Sequence, residues 1–270
     1  MIKKSAEYLN LQSLRNMEKS IKSIEFNHDK TFAFSDIALN FTEKNILDNI
    51  KILLPIQFNY YGLLNFDKLP QMISEYITEL DRSNNAQMIT DILLDRIIKP
   101  YIYLLDHNAF WLTIRAWSHP SNSFDIPRWH NDGYYYKGQE FTKNNKYQLK
   151  LAGVFKGNPT MFKRDNALVK SIAHDMNMKF YETYDYRNPN NKSQELDHKI
   201  NLDNSLKQYP TVIPSKYQIA IFSVGQKGKS AIHSEPKIDN LRFFFSIVSG
   251  TGNEIRDLAI SHNDVFHDKL

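Results

Sequence analysis

The chain has 270 residues, of which 41% are apolar and 13% aromatic, enough for one domain with a sizeable core. Its net charge is only +4 with both signs interspersed, so no dense basic stripe marks a nucleic-acid face. The absence of cysteine excludes disulfides, thiolate catalysis and zinc–thiolate sites, and leaves histidine, carboxylate or carbonyl oxygen for any metal.

The N-terminal stretch MIKKSAEYLNLQSLRN lacks an apolar run of signal-peptide length, and no segment approaches a membrane span. A soluble, cytoplasmic protein is therefore expected. Residues 1–108 read as a mainly helical region that packs on a C-terminal β domain. Thr42 to Leu54 has apolar residues at helical spacing behind a capping threonine and ends at Pro55. Leu69–Leu80 and Ala86–Leu105 repeat the pattern, with Pro100 expected to kink or break the last. None of these stripes contains convergent polar groups, so they read as scaffold.

The period changes at Ala109. Phe110–Trp117 alternates and is rich in β-prone residues. Tyr147–Phe155, Thr160–Phe162, Tyr217–Val224, Ser230–Ser234 and Leu241–Ser249 come next as further strands. Turns are marked by Gly157-Asn158-Pro159 and by Gly225-Gln226-Lys227-Gly228. Residues 109–250 thus form a β domain. It is interrupted at about 164–215 by a polar, irregular insertion, in which Asn166–Met178 could be helical and Arg187–Ser193 is loop. Residues 251–270 read as a tail. Helices first and short strands afterwards point to an α+β fold, a β-barrel domain with a helical N-terminal layer.

Nine histidines and thirty acids make HxD and HxE pairs cheap, and the chain has three: His130/Asp132, His233/Glu235 and His262/Asp264. Context separates them. The stretch Pro127-Arg128-Trp129-His130-Asn131-Asp132 enters a β-prone run, and an extended backbone turns both His130 and Asp132 the same way. His233 comes after a glycine turn. Nine residues later Arg242 opens a strand whose face also carries Phe244 and Ser246. His262/Asp264 sits in a polar tail with no strand or arginine after it and reads as surface. Two histidines and one carboxylate on one face of a divalent ion leave three positions open, the facial arrangement of non-haem Fe(II) oxygenases. A fixed guanidinium nearby would hold a carboxylate co-substrate by a bidentate pair.

The series His130-x-Asp132, His233, Arg242 resembles the HxD…H…R pattern of the Fe(II)/2-oxoglutarate-dependent oxygenases, over roughly Ala109 to Ser249. That resemblance implies a double-stranded β-helix, a jelly-roll or cupin-like barrel with His130, Asp132 and His233 as iron ligands and catalytic centre. It implies that Arg242 binds the distal carboxylate of 2-oxoglutarate. It implies too that Ser246, on the same strand face, substitutes for the Ser or Thr that many members carry where this chain has Phe244. The activity implied is hydroxylation or demethylation of a substrate, a small molecule or a protein side chain, with succinate and carbon dioxide as co-products. Arg242-Phe243-Phe244-Phe245-Ser246 lacks the Asn-rich motif of the DNA-repair branch, which points away from nucleic acid. The insertion falls where members often build a lid over the substrate. Tyr147, Lys150 and Thr160 stand as further donors, and Arg115 and Trp117 as residues that line a pocket or simply pack. Two other readings remain: a cupin-like divalent-metal protein without oxygenase activity, and a catalytically silent binding module.

Overall fold

A computed structural model describes residues 10–27, 29–64, 68–136, 148–184, 191–225 and 228–267. The chain opens with α1 (Leu11–Glu25), β1 (Phe32–Asp36), α2 (Phe41–Asp48) and β2 (Gln57–Leu63). α2 starts on Asn40, not Thr42: the Asn40 side chain accepts from the Glu43 amide while the Glu43 side chain accepts from the Asn40 amide, a reciprocal cap. The helix ends at Asp48 and not at Leu54, because Lys51 turns its amide onto the Asp81 carboxylate. Next come α3 (Leu69–Asp81), α4 (Ala86–Asp91) and α5 (Lys99–Leu104), with a π-helical segment over Ile92–Ile98 joining the last two. Pro100 therefore does not break the helix. It sits in the first turn of α5, where its missing N–H costs little, and the wider π turn precedes it.

The remaining strands are β3 (Ala109–Trp117), β4 (Gln148–Lys156), β5 (Met161–Lys163), β6 (Thr211–Val212), β7 (Gln218–Val224), β8 (His233–Ser234), β9 (Arg242–Gly250) and β10 (Phe266–His267). They form a seven-stranded sheet in the order β1-β7-β4-β9-β3-β2-β10 and a three-stranded sheet in the order β6-β5-β8. All pairings are antiparallel except β2 with β10. Residues 1–108 thus contribute β1 and β2 to the large sheet as well as helices. An isolated bridge between His130 and His233 adds the HxD segment to the small sheet beside β8.

The polar insertion is more regular than its composition suggests. It forms α6 (Ala167–Thr183) and α7 (Lys192–Leu206), so Lys192 and Ser193 are helical, not loop. Residues 185–190, Tyr147 and the pair Gln226-Lys227 lie outside the described residues. The tail is also structured: Thr251 and Glu254 cap α8 (Gly252–Ser261), which leads into β10. None of the described helices is long and apolar enough to cross a membrane.

Alternation divides the large sheet into two faces. Phe110, Leu112 and Ile114 of β3, Leu149 and Leu151 of β4, and Phe243, Phe245 and Ile247 of β9 pack into one core with α1 through α5. Each such buried side chain contributes about 2 kcal/mol of apolar burial. The opposite face carries Trp111, Thr113, Arg115 and Trp117 of β3, Lys150 of β4, and Arg242, Phe244 and Ser246 of β9. These eight side chains line a cavity together with residues of the small sheet. The helical layer thus holds the sheet from behind and leaves its polar face free.

Candidate metal centre

The site is built on the His130–His233 bridge, whose two backbone hydrogen bonds, amide of each to carbonyl of the other, are both 2.9 Å. The ring centroids lie 4.4 Å apart. His130 Nε2 is 3.6 Å from Asp132 Oδ1, and His233 Nε2 is 3.6 Å from Asp132 Oδ2. One donor atom from each of the three residues lies within 4.8 Å of the others, which suits a shared cation. The tautomers suit it too. Nδ1 of His130 is 2.7 Å from the Arg128 carbonyl, and Nδ1 of His233 is 3.2 Å from the Ala231 carbonyl. A carbonyl only accepts, so Nδ1 carries a proton on both rings and Nε2 is the atom left to face a cation. Burial, reinforced by the neighbouring His130, pushes the His233 imidazole down to about 4, so it is neutral at pH 7.

Asp132 has the opposite tuning. Its burial opposes ionisation, but Lys150, His233 and His130 outweigh that and hold the carboxyl well below the usual range. Oδ2 accepts from Lys150 Nζ and from the Tyr135 hydroxyl, both at 2.8 Å, and these two donors are themselves 2.7 Å apart. Register accounts for a further pair. With His130 opposite His233, Arg128 stands opposite Glu235, and the two form an ion pair across the strands. Glu235, the acid of the HxE pair, is thereby engaged with Arg128.

The cavity has a volume of about 230 Å³. Arg242 enters it from the first residue of β9 and is only 2% exposed. Its guanidinium carbon lies 4.7 Å from the Phe244 ring centroid and 5.1 Å from that of Trp117. Phe244 thus serves as a face for the cation. Among the described residues the guanidinium makes one hydrogen bond, from Nε to the Asn158 carbonyl at 2.9 Å. Burial pushes it down to about 10; the Glu235 charge opposes that shift and Arg115 adds to it. Gly157 makes the approach possible. Its φ is +87°, and a Cβ there would lie 2.6 Å from the Leu241 carbonyl oxygen.

The structure brings His130, Asp132 and His233 together and sets Arg242 and Ser246 on the wall of the same cavity. Ser246 is paired with Thr113 across β3 and β9. Lys150, Thr160, Arg115 and Trp117 also line the cavity. His262 and Asp264 are exposed, as expected of a surface pair, although His262 Nδ1 lies 2.8 Å from the Tyr61 hydroxyl. His198 takes no part, its Nε2 meeting Asn177 Oδ1 at 2.8 Å between the two insertion helices. Arg128 and Thr113 were given no role from the sequence. The register opposite His233 and alternation along β3 are the signals that identify them. None of the described residues of 164–215 lines the cavity.

The sequence matches no family model and no curated protein. Among solved structures, it is similar to the dioxygenase for auxin oxidation in rice, with 8% identity, a TM-score of 0.44 and coverage of 93% of this chain and 94% of that one. It is also similar to HygX from Streptomyces hygroscopicus, solved with nickel and 2-oxoglutarate bound, at 9% identity, TM-score 0.38 and coverage of 85% and 86%. A Pseudomonas putida prolyl-4-hydroxylase gives 7%, 0.35, 87% and 98% in the same order. Likeness at this level assigns no chemistry, and the function rests on the residues of the site.

Proposed function

We propose that this protein is an Fe(II)- and 2-oxoglutarate-dependent oxygenase that hydroxylates or demethylates a small molecule or a protein side chain, with succinate and carbon dioxide as co-products. One observation carries the reading: three donor atoms suited to a facial metal site share a cavity with a buried guanidinium that has no carboxylate partner among the described residues. The strand order supports it. The central strands β7-β4-β9-β3 face the series β6-β5-β8 and His130, with the chain passing back and forth between the two sheets. This is the pairing expected of a double-stranded β-helix.

His130 and His233 offer Nε2 atoms and Asp132 a carboxylate, a donor set that fits Fe(II). When bound, Fe(II) and 2-oxoglutarate supply dioxygen activation coupled to oxidative decarboxylation. The chain's own groups do the rest. Lys150 and Tyr135 keep Asp132 ionised and fix its plane. Arg242, held between Trp117 and Phe244, pairs with the distal carboxylate of 2-oxoglutarate, and the Ser246 hydroxyl adds a donor on the same strand face. Trp111 and Arg115 form the wall left for substrate. Metal-binding without oxygenase chemistry gives Arg242 no role, because a buried cation for a dicarboxylate is then unnecessary.

The test is anaerobic addition of Fe(II) and 2-oxoglutarate to apo protein. A visible charge-transfer absorption is expected, lost in His130→Ala and in His233→Ala. No absorption, together with no binding of 2-oxoglutarate, would overturn the reading.

A further inference from the structure

Because side chains alternate, a strand that turns His130 and Asp132 into the cavity must turn Trp129 the other way, and the same holds for Ile232 beside His233. Both outward residues enter one apolar cluster, with Val169 and Ala173 of α6 and Leu202 and Leu206 of α7. The insertion therefore lies behind the two ligand-bearing segments, against the residues next to each histidine.

Trp129 is 2% exposed and is held on three sides. Its Nε1 donates to Asp203 Oδ1 of α7 at 2.7 Å. Its carbonyl accepts from Asn177 Nδ2 of α6 at 3.4 Å. The Lys163 ammonium lies 4.5 Å from the ring centroid. Lys163 is itself fixed, donating to the carbonyls of Leu206 and Tyr209 and to the Thr211 hydroxyl at 3.0–3.1 Å. The first two of these acceptors cluster at the C-terminal end of α7, where a cation is favoured. Helix position is thus transmitted through Trp129 to the adjacent His130.

We infer that the α6–α7 hairpin is a brace that sets metal affinity, with Asp203 as a positioning residue acting on His130 through the Trp129 indole N–H. This rests on the metal centre proposed above and adds to it a role for the insertion. Metal–ligand distances tolerate only about 0.2 Å. Loss of groups that orient a ligand typically weakens metal binding about 10- to 100-fold.

The experiment titrates Mn(II) into the full-length apo protein, following free Mn(II) by electron paramagnetic resonance, and measures urea unfolding of each apo variant. Asp203→Ala and Trp129→Phe are each expected to weaken Mn(II) binding about 10-fold or more. Because both remove the same hydrogen bond, the double variant is expected to bind no more weakly than either single one. Asp203→Asn keeps an acceptor oxygen and is expected to restore most of the affinity. Unchanged Mn(II) affinity in the variants, whatever happens to unfolding, would overturn the brace while leaving the metal centre standing. Fully additive losses would overturn it too. Failure of the wild-type protein to bind Mn(II) would overturn the metal centre and the brace together.

Discussion

Replacement of Arg242 by Met separates function from stability with opposite signs. The guanidinium is 2% exposed, and burial takes it down to about 10. That depression corresponds to about 3 kcal/mol carried by the charged form at neutral pH. Methionine fills a similar space without the charge, and its chief cost is the Asn158 carbonyl left without its donor, about 1 kcal/mol. The apo protein should therefore gain about 2 kcal/mol, read as a higher urea midpoint at unchanged slope. Co-substrate binding should move the other way. Truncating one partner of a buried charge pair costs about 2–5 kcal/mol, so 2-oxoglutarate affinity should fall about 300-fold at the middle of that range. The assays are urea unfolding of apo protein and anaerobic titration of the Fe(II) form with 2-oxoglutarate. A variant that binds 2-oxoglutarate within a few-fold of wild type, and unfolds at lower urea, would show that Arg242 is a packing residue and refute the reasoning.

Gly157→Ala is expected to cost about 1–3 kcal/mol, since φ is +87° and the new Cβ meets the Leu241 carbonyl. By shifting Asn158 it should weaken 2-oxoglutarate binding while leaving Mn(II) binding intact, as titration of each would show. Ser246→Ala removes one hydroxyl donor and should weaken 2-oxoglutarate by several-fold at most, about 1 kcal/mol, with no effect on the metal. Burial holds the phenols of Tyr60, Tyr76, Tyr101 and Tyr136 above their usual 10. Above pH 10 the unfolded chain releases these protons and the folded chain retains them, so stability falls as pH rises, by up to about 1.4 kcal/mol per pH unit for each phenol. Urea unfolding between pH 9 and about 11 checks the slope, and a flat profile would contradict it.

The parts of the site visible in the sequence are those that strand geometry fixes locally. The spacing of His130 and Asp132 places them on one face whatever their partners, and the same period sets Arg242 beside Phe244 and Ser246. Lys150 was recognisable as a donor, but its direction depends on the register of β4 between β7 and β9, which no local pattern specifies. β1 and β2 were hidden for a related reason. Five residues beside a helix, FAFSD, and a strand containing Gly62 become sheet only by pairing with β7 and β3, far along the chain.

The insertion is the sharpest case. Its polar composition reads as irregular, and α7 buries only Leu202 and Leu206 of its fifteen residues. Those two side chains, with Asp203 between them, are the ones that reach Trp129, 74 positions away from Asp203 in the sequence. The His130/Asp132 pair is local and therefore legible, whereas His233 and the groups that orient the ligands come from distant segments. The residue next to the ligand is where such support becomes detectable: a tryptophan beside His130 must bury its ring outside the cavity and satisfy its N–H there. Its partner is the natural place to look for control of the metal.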